Sequence, residues 1–282
     1  MQLSLRICAM CMYVYAHEET MQIYGDYHTH TYASDGRASV KQQATAASLR
    51  GIREIAVTDH SFASTIFHMT RRKFKKQKAQ AQSLDLPVKV LCGIEANLVN
   101  PQGDIDVPSD VIRECDVLVV GFHRYIGFKG EKRGGYARAW LFENGFCGLE
   151  KRKKLVEVNT AAYIEAMRKF PIDCIAHLNH RALVDVKKVC EEAKRQGVYI
   201  ELNEKHLDAM EGSVAALLES GVNFIVGTDA HDAKKLGKMD KIKSFVEKYD
   251  LPRERVFGID GRKPTFKDKT RFCEWNEKPD RK

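Results

Sequence analysis

The chain has 282 residues, 44% of them hydrophobic and 30% charged, enough for a real core beneath a soluble surface. No apolar run reaches the roughly 18 residues of a membrane span, so no membrane-spanning helix is expected. Lys and Arg number 46 against 38 Asp and Glu, and the resulting formal charge of +8 suits an anionic partner, either a small phosphate ester or nucleic acid, while remaining ordinary for a soluble enzyme.

The first element is weak. Residues 1–21 are mildly apolar from Leu3 to Ala16, with Arg6 inside the run and no small-residue cleavage site, so they read as an extension, not a signal peptide. Strand-like runs then follow at Ile23–Tyr27, Glu54–Thr58, Val88–Glu95, Val117–Gly121, Ile172–Ala176, Val198–Asn203 and Asn223–Gly227. Between them lie helical patterns at Val40–Arg50, Arg71–Leu84, Ser109–Glu114, Lys153–Phe170, Val184–Gln196, Ser213–Ser220 and Lys238–Lys248. Strands alternating with amphipathic helices predict an α/β fold with parallel pairing, and seven of them suit a barrel better than two open sheets. Gly51, Gly197 and Gly221 stand where helices should stop.

Three stretches depart from the alternation. Asn100-Pro101-Gln102-Gly103 predicts a hairpin turn just after Glu95. Residues 124–152 are rich in Gly and aromatics and too long for a simple connection, which fits either a lid over a site or a surface insertion packed by its own rings. Residues 266–282 are highly charged and read as a tail, leaving 22–265 for the barrel. The eight cysteines show no secretory framework and several sit in apolar runs, so a reducing cytoplasm is expected; Cys8-Ala9-Met10-Cys11 lacks a redox context and reads as incidental.

In barrels and open α/β sheets, functional side chains gather at the C-terminal ends of strands. Here those ends carry His28 and His30, then Asp59 and His60, Glu95, His123, His177, and Asp229 with His231. Only Val198–Asn203 lacks a strong ligand, offering Asn203 and Glu204. Six of the ten histidines fall at these ends, where random placement would scatter them. If the first strand is regular, alternation sends His28 and His30 to one side as a chelating pair. His, Asp and Glu without Cys is the donor set of catalytic Zn, Mn or Fe sites, and points to a hydrolytic cluster of two or more ions.

Taken in order, these segments resemble the PHP family, named for polymerase and histidinol phosphatase. The stretch Gly25-Asp26-Tyr27-His28-Thr29-His30-Thr31-Tyr32-Ala33-Ser34-Asp35-Gly36 resembles its first motif and Val57-Thr58-Asp59-His60 its second. Gly93-Ile94-Glu95-Ala96-Asn97 resembles the third and Gly227-Thr228-Asp229-Ala230-His231 the last, with His123 and His177 as intermediate histidines. The resemblance covers residues 22–237 and implies a distorted seven-stranded (β/α) barrel, TIM-like, holding three divalent ions. It implies that His28, His30, Glu95 and Asp229 hold one ion, that Glu95 bridges to a second held by His123 and His177, and that Asp35, His60 and His231 hold a third. Asp26 and Asp59 would accept ring N–H bonds and orient the ligands.

The implied activity is phosphoric ester hydrolysis by a hydroxide that bridges the ions. Arg124 and Arg181 are candidates to grip phosphate oxygens, each with a surface role as the alternative. His180 is a candidate leaving-group acid whose bland alternative is surface exposure; His17, His68 and His206 read as incidental. No polymerase segment accompanies the barrel, so a stand-alone, histidinol-phosphatase-like enzyme acting on a small phosphomonoester is expected. The alternatives are a 3′–5′ exonuclease or nucleotidase, supported by the basic charge, and a non-catalytic metal-binding barrel. The basic run Arg71–Lys78 would spread around a helix and reads as a solvated face.

Overall fold

Eight strands hydrogen-bond in chain order into one all-parallel sheet in the computed structural model, which describes residues 21–126 and 134–273. They are β1 (Gly25–Thr29), β2 (Glu54–Val57), β3 (Lys89–Asn97), β4 (Val117–Gly121), β5 (Cys174–Ile175), β6 (Tyr199–Asn203), β7 (Phe224–Gly227) and β8 (Val256–Phe257). Helices α1 (Val40–Leu49), α2 (Arg71–Gln82), α3 (Ser109–Glu114), α4 (Gly134–Phe146), α5 (Leu149–Lys153), α6 (Val156–Lys169), α7 (Val186–Gln196), α8 (Val214–Ser220) and α9 (Asp240–Lys248) connect them.

The sheet curls until its ends meet. At one end Tyr24 and Gly25 donate to the carbonyl of Gly258, at 2.8 and 3.1 Å; at the other His30 donates to the carbonyl of Ala230 at 2.9 Å. The seven expected strands are present, and β8 is an eighth: two residues give no periodicity to read, yet they complete the floor of the distorted barrel beside β7.

Alternation along the strands sorts side chains into two layers. Tyr27, Ala56, Leu91, Val119, Ala176, Tyr199 and Ile225 fill the interior, while Ile94, Leu118, Val120, Ile200, Leu202 and Phe224 face the helices. Four buried cysteines, Cys92, Cys115, Cys174 and Cys190, are free and join these layers; burial pushes the Cys115 and Cys190 thiols up to about 12, which keeps them inert. The Cys8–Cys11 pair lies outside the described residues.

Local chemistry explains where the helices begin and end. Ser39 opens α1 with a capping box to Gln42, and Asp185 caps α7 through Lys188. Gly197 and Gly221 close α7 and α8 with φ of 64° and 65°, a conformation that glycine reaches without strain. After β3 the hairpin forms as expected, with Val99 donating to the Asp104 carbonyl at 2.9 Å.

Of residues 124–152, the described part is mostly helix. α4 is anchored by buried Trp140, whose Nε1 donates to Asn159 Oδ1 on α6 at 2.7 Å and whose ring meets Phe122 edge-on. Helix period was obscured there by glycines at both ends of the run. Residues 127–133 of that insertion lie outside the described residues.

Of the charged C-terminal segment, the described residues 266–273 stay against the barrel. Lys269 is buried and its Nζ reaches Asp173 Oδ2 at 2.6 Å and the carbonyls of Asp116 and Lys267 at 3.1 Å. Asp173 in turn accepts from the backbone of Leu118 and Lys267. Sequence composition marks charge as surface; only the fold supplies a buried partner. Replacing Lys269 by Met strands the Asp173 carboxylate, and a loss of about 3–5 kcal/mol in urea unfolding is expected. A loss under about 1 kcal/mol would show the pair to be dispensable. Among the described residues no helix is long and apolar enough to cross a membrane.

Candidate metal centre

Glu95, on β3, is the hub. Its side chain is 1% exposed and its two oxygens face different histidines. Oε1 lies 2.9 Å from His177 Nε2 and 3.1 Å from His123 Nε2. Oε2 lies 3.4 Å from His28 Nε2, 3.6 Å from His30 Nε2 and 2.9 Å from His60 Nδ1. Asp229 Oδ1 adds 3.3 Å to His30 Nε2, and Asp35 Oδ2 stands 2.9 Å from His231 Nε2 and 3.6 Å from His60 Nε2. All nine residues expected as metal ligands therefore converge at the same end of the barrel.

Backbone irregularities make the convergence. Tyr27 packs in the barrel interior and its neighbour His28 reaches Glu95, which strict alternation forbids; the β1–β2 pairing shifts register between Asp26 and Thr29 and turns His28 back inward. His177 and Asp229 adopt φ of 33° and 51°, rare for residues with a Cβ and found where a site demands a particular aim. Gly121 leaves room for rings: a Cβ there would come within 2.6 Å of His177 and 3.2 Å of His123. Gly227 likewise admits the side chain of Glu201 beside His28.

The electrostatics favour bound cations. Burial opposes ionisation of Glu95, but the rings of His123, His28 and His60 outweigh it and hold the carboxyl well below its usual range. Asp229 behaves alike: burial opposes, and hydrogen bonds from His231 and His30 win. Burial pulls His60 and His231 down, yet their carboxylate neighbours carry them up to about 10 and about 9. Burial, with the charges of His60 and His231 beside it, holds His30 down at about 4. Hydrogen bonds alone do not satisfy this cluster. Glu95 Oε2 and His30 Nδ1 are buried without a hydrogen-bond partner, and His28 Nε2 and His30 Nε2 face each other at 3.2 Å. Three overlapping donor sets, each with its atoms within 4.8 Å of one another, run through it: His30, Asp35, His60 and His231; His28, His30 and Glu95; His60, Glu95 and His123. The donor types and their convergence fit divalent ions.

The orienting residues differ from expectation. Asp26 accepts from the Thr228 backbone and hydroxyl and from the Gly237 backbone; Asp59 accepts from Thr31, Ser34 and Gln77. Both brace loops, and neither takes a ring N–H. That duty falls to Glu201, whose Oε1 lies 2.8 Å from His28 Nδ1, and to Asn97, whose Oδ1 lies 2.6 Å from His123 Nδ1. Glu201 sits inside β6, not at its end, so a reading of strand ends passes over it. The available signal was a carboxylate at an inward position of a strand whose other face is Ile200 and Leu202.

Above the cluster opens a cavity of about 430 Å³. Arg124, Arg181, His180, Lys205 and His206 line one part, and Ser64, Ile66, Phe67 and Tyr125 another. His180 is half-buried here, not a surface residue, and its ring lies against that of His206, tilted by 33° with centroids 3.8 Å apart. Burial, then the neighbouring His206, His177 and Arg181, hold His180 at about 3. Its ring is thus neutral near pH 7, poised to hydrogen-bond and poorly suited to donating a proton as an acid. His206 and Lys205, both passed over in the sequence, belong to the cavity; Lys205 Nζ stands 2.9 Å from Asp229 Oδ1 and from His231 Nδ1. His17 lies outside the described residues. The basic run is dispersed over α2: Arg71 pairs with Asp110 at 2.6 Å and Lys73 caps carbonyls of Ala33 and His68.

A parallel barrel with a His and carboxylate cluster at its C-terminal mouth defines a metal-dependent hydrolase. The PHP domain profile matches residues 26–249, and the chain belongs to that family. A probable phosphatase of Acetivibrio thermocellus is 28% identical over 249 residues, spanning 84% of this chain and 91% of the relative. Another from Clostridium novyi is 27% identical over 253 residues, spanning 84% and 91%. Among solved structures, the histidinol phosphate phosphatase of Lactococcus lactis, in complex with zinc, L-histidinol and phosphate, superposes with a TM-score of 0.59 at 18% identity, covering 87% of this chain and 97% of that one. The likeness to that structure is one of fold. By class the protein is a metal-dependent phosphatase.

Proposed function

We propose that the protein hydrolyses a small-molecule phosphomonoester at three divalent ions. His28, His30, Glu95 and Asp229 would hold the first, Glu95, His123 and His177 the second, and Asp35, His60 and His231 the third. The observation that carries this reading is the split of Glu95, one oxygen toward His123 and His177 and the other toward His28, His30 and His60. Bound ions supply Lewis acidity, activating water and neutralising phosphoryl oxygens.

The protein's own groups do the rest. Glu201 and Asn97 fix ring orientation. Arg124 and Arg181 present charge to an entering anion, and neutral His180 offers a hydrogen bond to the ester. A cavity of about 430 Å³ supports a small ester over a strand of nucleic acid, since small-ligand sites run from about 300 to 1,000 Å³. Histidinol phosphate enters as one candidate from the Lactococcus lactis neighbour. Exposed Phe67, Tyr125, Phe142 and Phe146 supply the counter-argument for a nucleotidase or nuclease, because bases stack on such rings.

The test is a hydrolysis panel of histidinol phosphate, nucleoside bisphosphates, an aryl phosphate and labelled single-stranded oligonucleotides, run with Mn²⁺, Zn²⁺ and Fe²⁺. Turnover of small monoesters without oligonucleotide cleavage is expected. Cleavage of oligonucleotides alone would transfer the assignment to a nuclease. Absence of any turnover, with under about one ion per chain by elemental analysis, would leave a non-catalytic barrel.

A further inference from the structure

We propose that Arg124, Arg152 and Arg181 form a subsite for a second anionic group, so that the substrate carries a carboxylate or another phosphate besides the phosphoryl group that is cleaved. The proposal rests on the phosphatase reading of the same cavity and names the class of ester it takes.

Arg124 and Arg181 line the cavity next to His123 and His177, and Arg152, on α5 and outside that lining, backs them with its Nη1 donating to the Arg181 carbonyl at 3.3 Å. Among the described residues no carboxylate lies within ion-pair distance of any of the three. Asp35, Glu95 and Asp229 also line the cavity, and the ions proposed above would answer them. The wall is different: Arg124 and Arg181 stand on it with Arg152 behind, and among the described residues no carboxylate pairs with them. Burial, then repulsion from Arg124 and Arg152, draws Arg181 below its ordinary value. Arg152 Nε is buried without a hydrogen-bond partner. An anion seated here relieves the mutual repulsion, since clustered like charges gain from a shared counter-charge and guanidiniums bind carboxylate or phosphate in a fork.

The wall is also built in advance. The Arg124 guanidinium lies over the rings of Tyr125 and Phe146, 5.3 and 5.8 Å from their centroids. Its stem packs against Gly145, where a Cβ would come within 3.0 Å. A side chain held this way loses little freedom on binding. The same field repels a leaving group bearing an ammonium, so amino-alcohol phosphates, the candidate histidinol phosphate among them, fall below anionic esters.

The experiment uses holoenzyme loaded with Mn²⁺ and four propyl phosphates that differ only at the far carbon. These are 3-hydroxypropyl phosphate, 3-phosphonooxypropanoate, propane-1,3-diyl bisphosphate and 3-aminopropyl phosphate. The expected kcat/KM is about tenfold or more higher for an anionic ester than for the hydroxyl ester, with the amine lowest. The carboxylate and bisphosphate arms tell which anion is preferred. In Arg152→Met that preference ratio collapses by about tenfold, mainly through KM, whereas Arg152→Lys keeps most of it because the charge remains. Equal kcat/KM for all four esters in the wild type, or an unchanged ratio in Arg152→Met, or the same loss in both variants, overturns the subsite. Failure to hydrolyse any of the four with metal bound sinks the phosphatase reading instead, and the subsite with it.

Discussion

Glu95→Gln lowers kcat/KM for every ester by on the order of 10²–10³-fold or more, the scale on which one preorganised electrostatic group matters. The substitution keeps the shape of a side chain that is 1% exposed and removes its charge. Five imidazoles face that carboxylate, two on one oxygen and three on the other. An amide presents one oxygen and one NH₂ group, so one of the two sets meets donor hydrogens where it met a negative oxygen. The proposed ions would then lose a shared counter-charge, and ion content per chain should fall along with turnover. Elemental analysis and steady-state kinetics on the same sample check both. Near-wild-type turnover with full metal content would remove Glu95 from the centre of the site.

Glu201→Gln is the second large effect, and it acts at one remove. Glu201 accepts at Oε1 from the His28 ring and at Oε2 from the His177 backbone and the Asn203 side chain, at 2.8, 2.9 and 2.9 Å. It is therefore a positioning residue for two of the proposed ligands. Its charge, with that of Glu95, also carries His28 well above the ordinary imidazole range against the opposing effect of burial. Loss of such an orienting carboxylate weakens metal affinity by about 10–100-fold. Activity at limiting Mn²⁺ should drop by that factor and recover as Mn²⁺ is raised, while kcat at saturation changes little. A fall in saturating kcat with unchanged metal affinity would place Glu201 in the chemistry itself. The thermal midpoint should fall too, since a buried carboxylate network is partly dismantled.

Eight of the nine proposed ligands were legible because strand ends can be found without knowing the fold; Asp35, in the loop after β1, was legible only through the motif resemblance. A period of two, a terminal Gly or Thr and then His or Asp is a local pattern, and it recurs at β1, β2, β4 and β7. Glu201 was illegible for the opposite reason: mid-strand it looks like a polar residue on a solvated face, and only a closed barrel makes that face interior. Asp26 and Asp59 carried the same ambiguity. Their motif position suggested ring partners, and their actual partners are hydroxyls and amides brought up by Thr228, Gly237, Thr31 and Gln77. His206 and Lys205 follow β6 in a turn, and nothing local distinguishes a turn that roofs a cavity from one that meets solvent.

The sequence by itself determined the parallel α/β architecture, the donor chemistry and the end of the barrel at which it gathers. These follow from local rules: alternation, helix period, capping, and the placement of His, Asp and Glu after apolar runs. Tertiary structure alone decided which donors share an oxygen of Glu95, which carboxylate holds the His28 ring, that Lys269 lies buried against Asp173, and that Arg124 and Arg181 share one wall with Arg152 behind them. Those are distances between distant residues, set by register shift, positive φ at His177 and Asp229, and barrel closure. No local pattern encodes them, because each depends on where the rest of the chain has already packed.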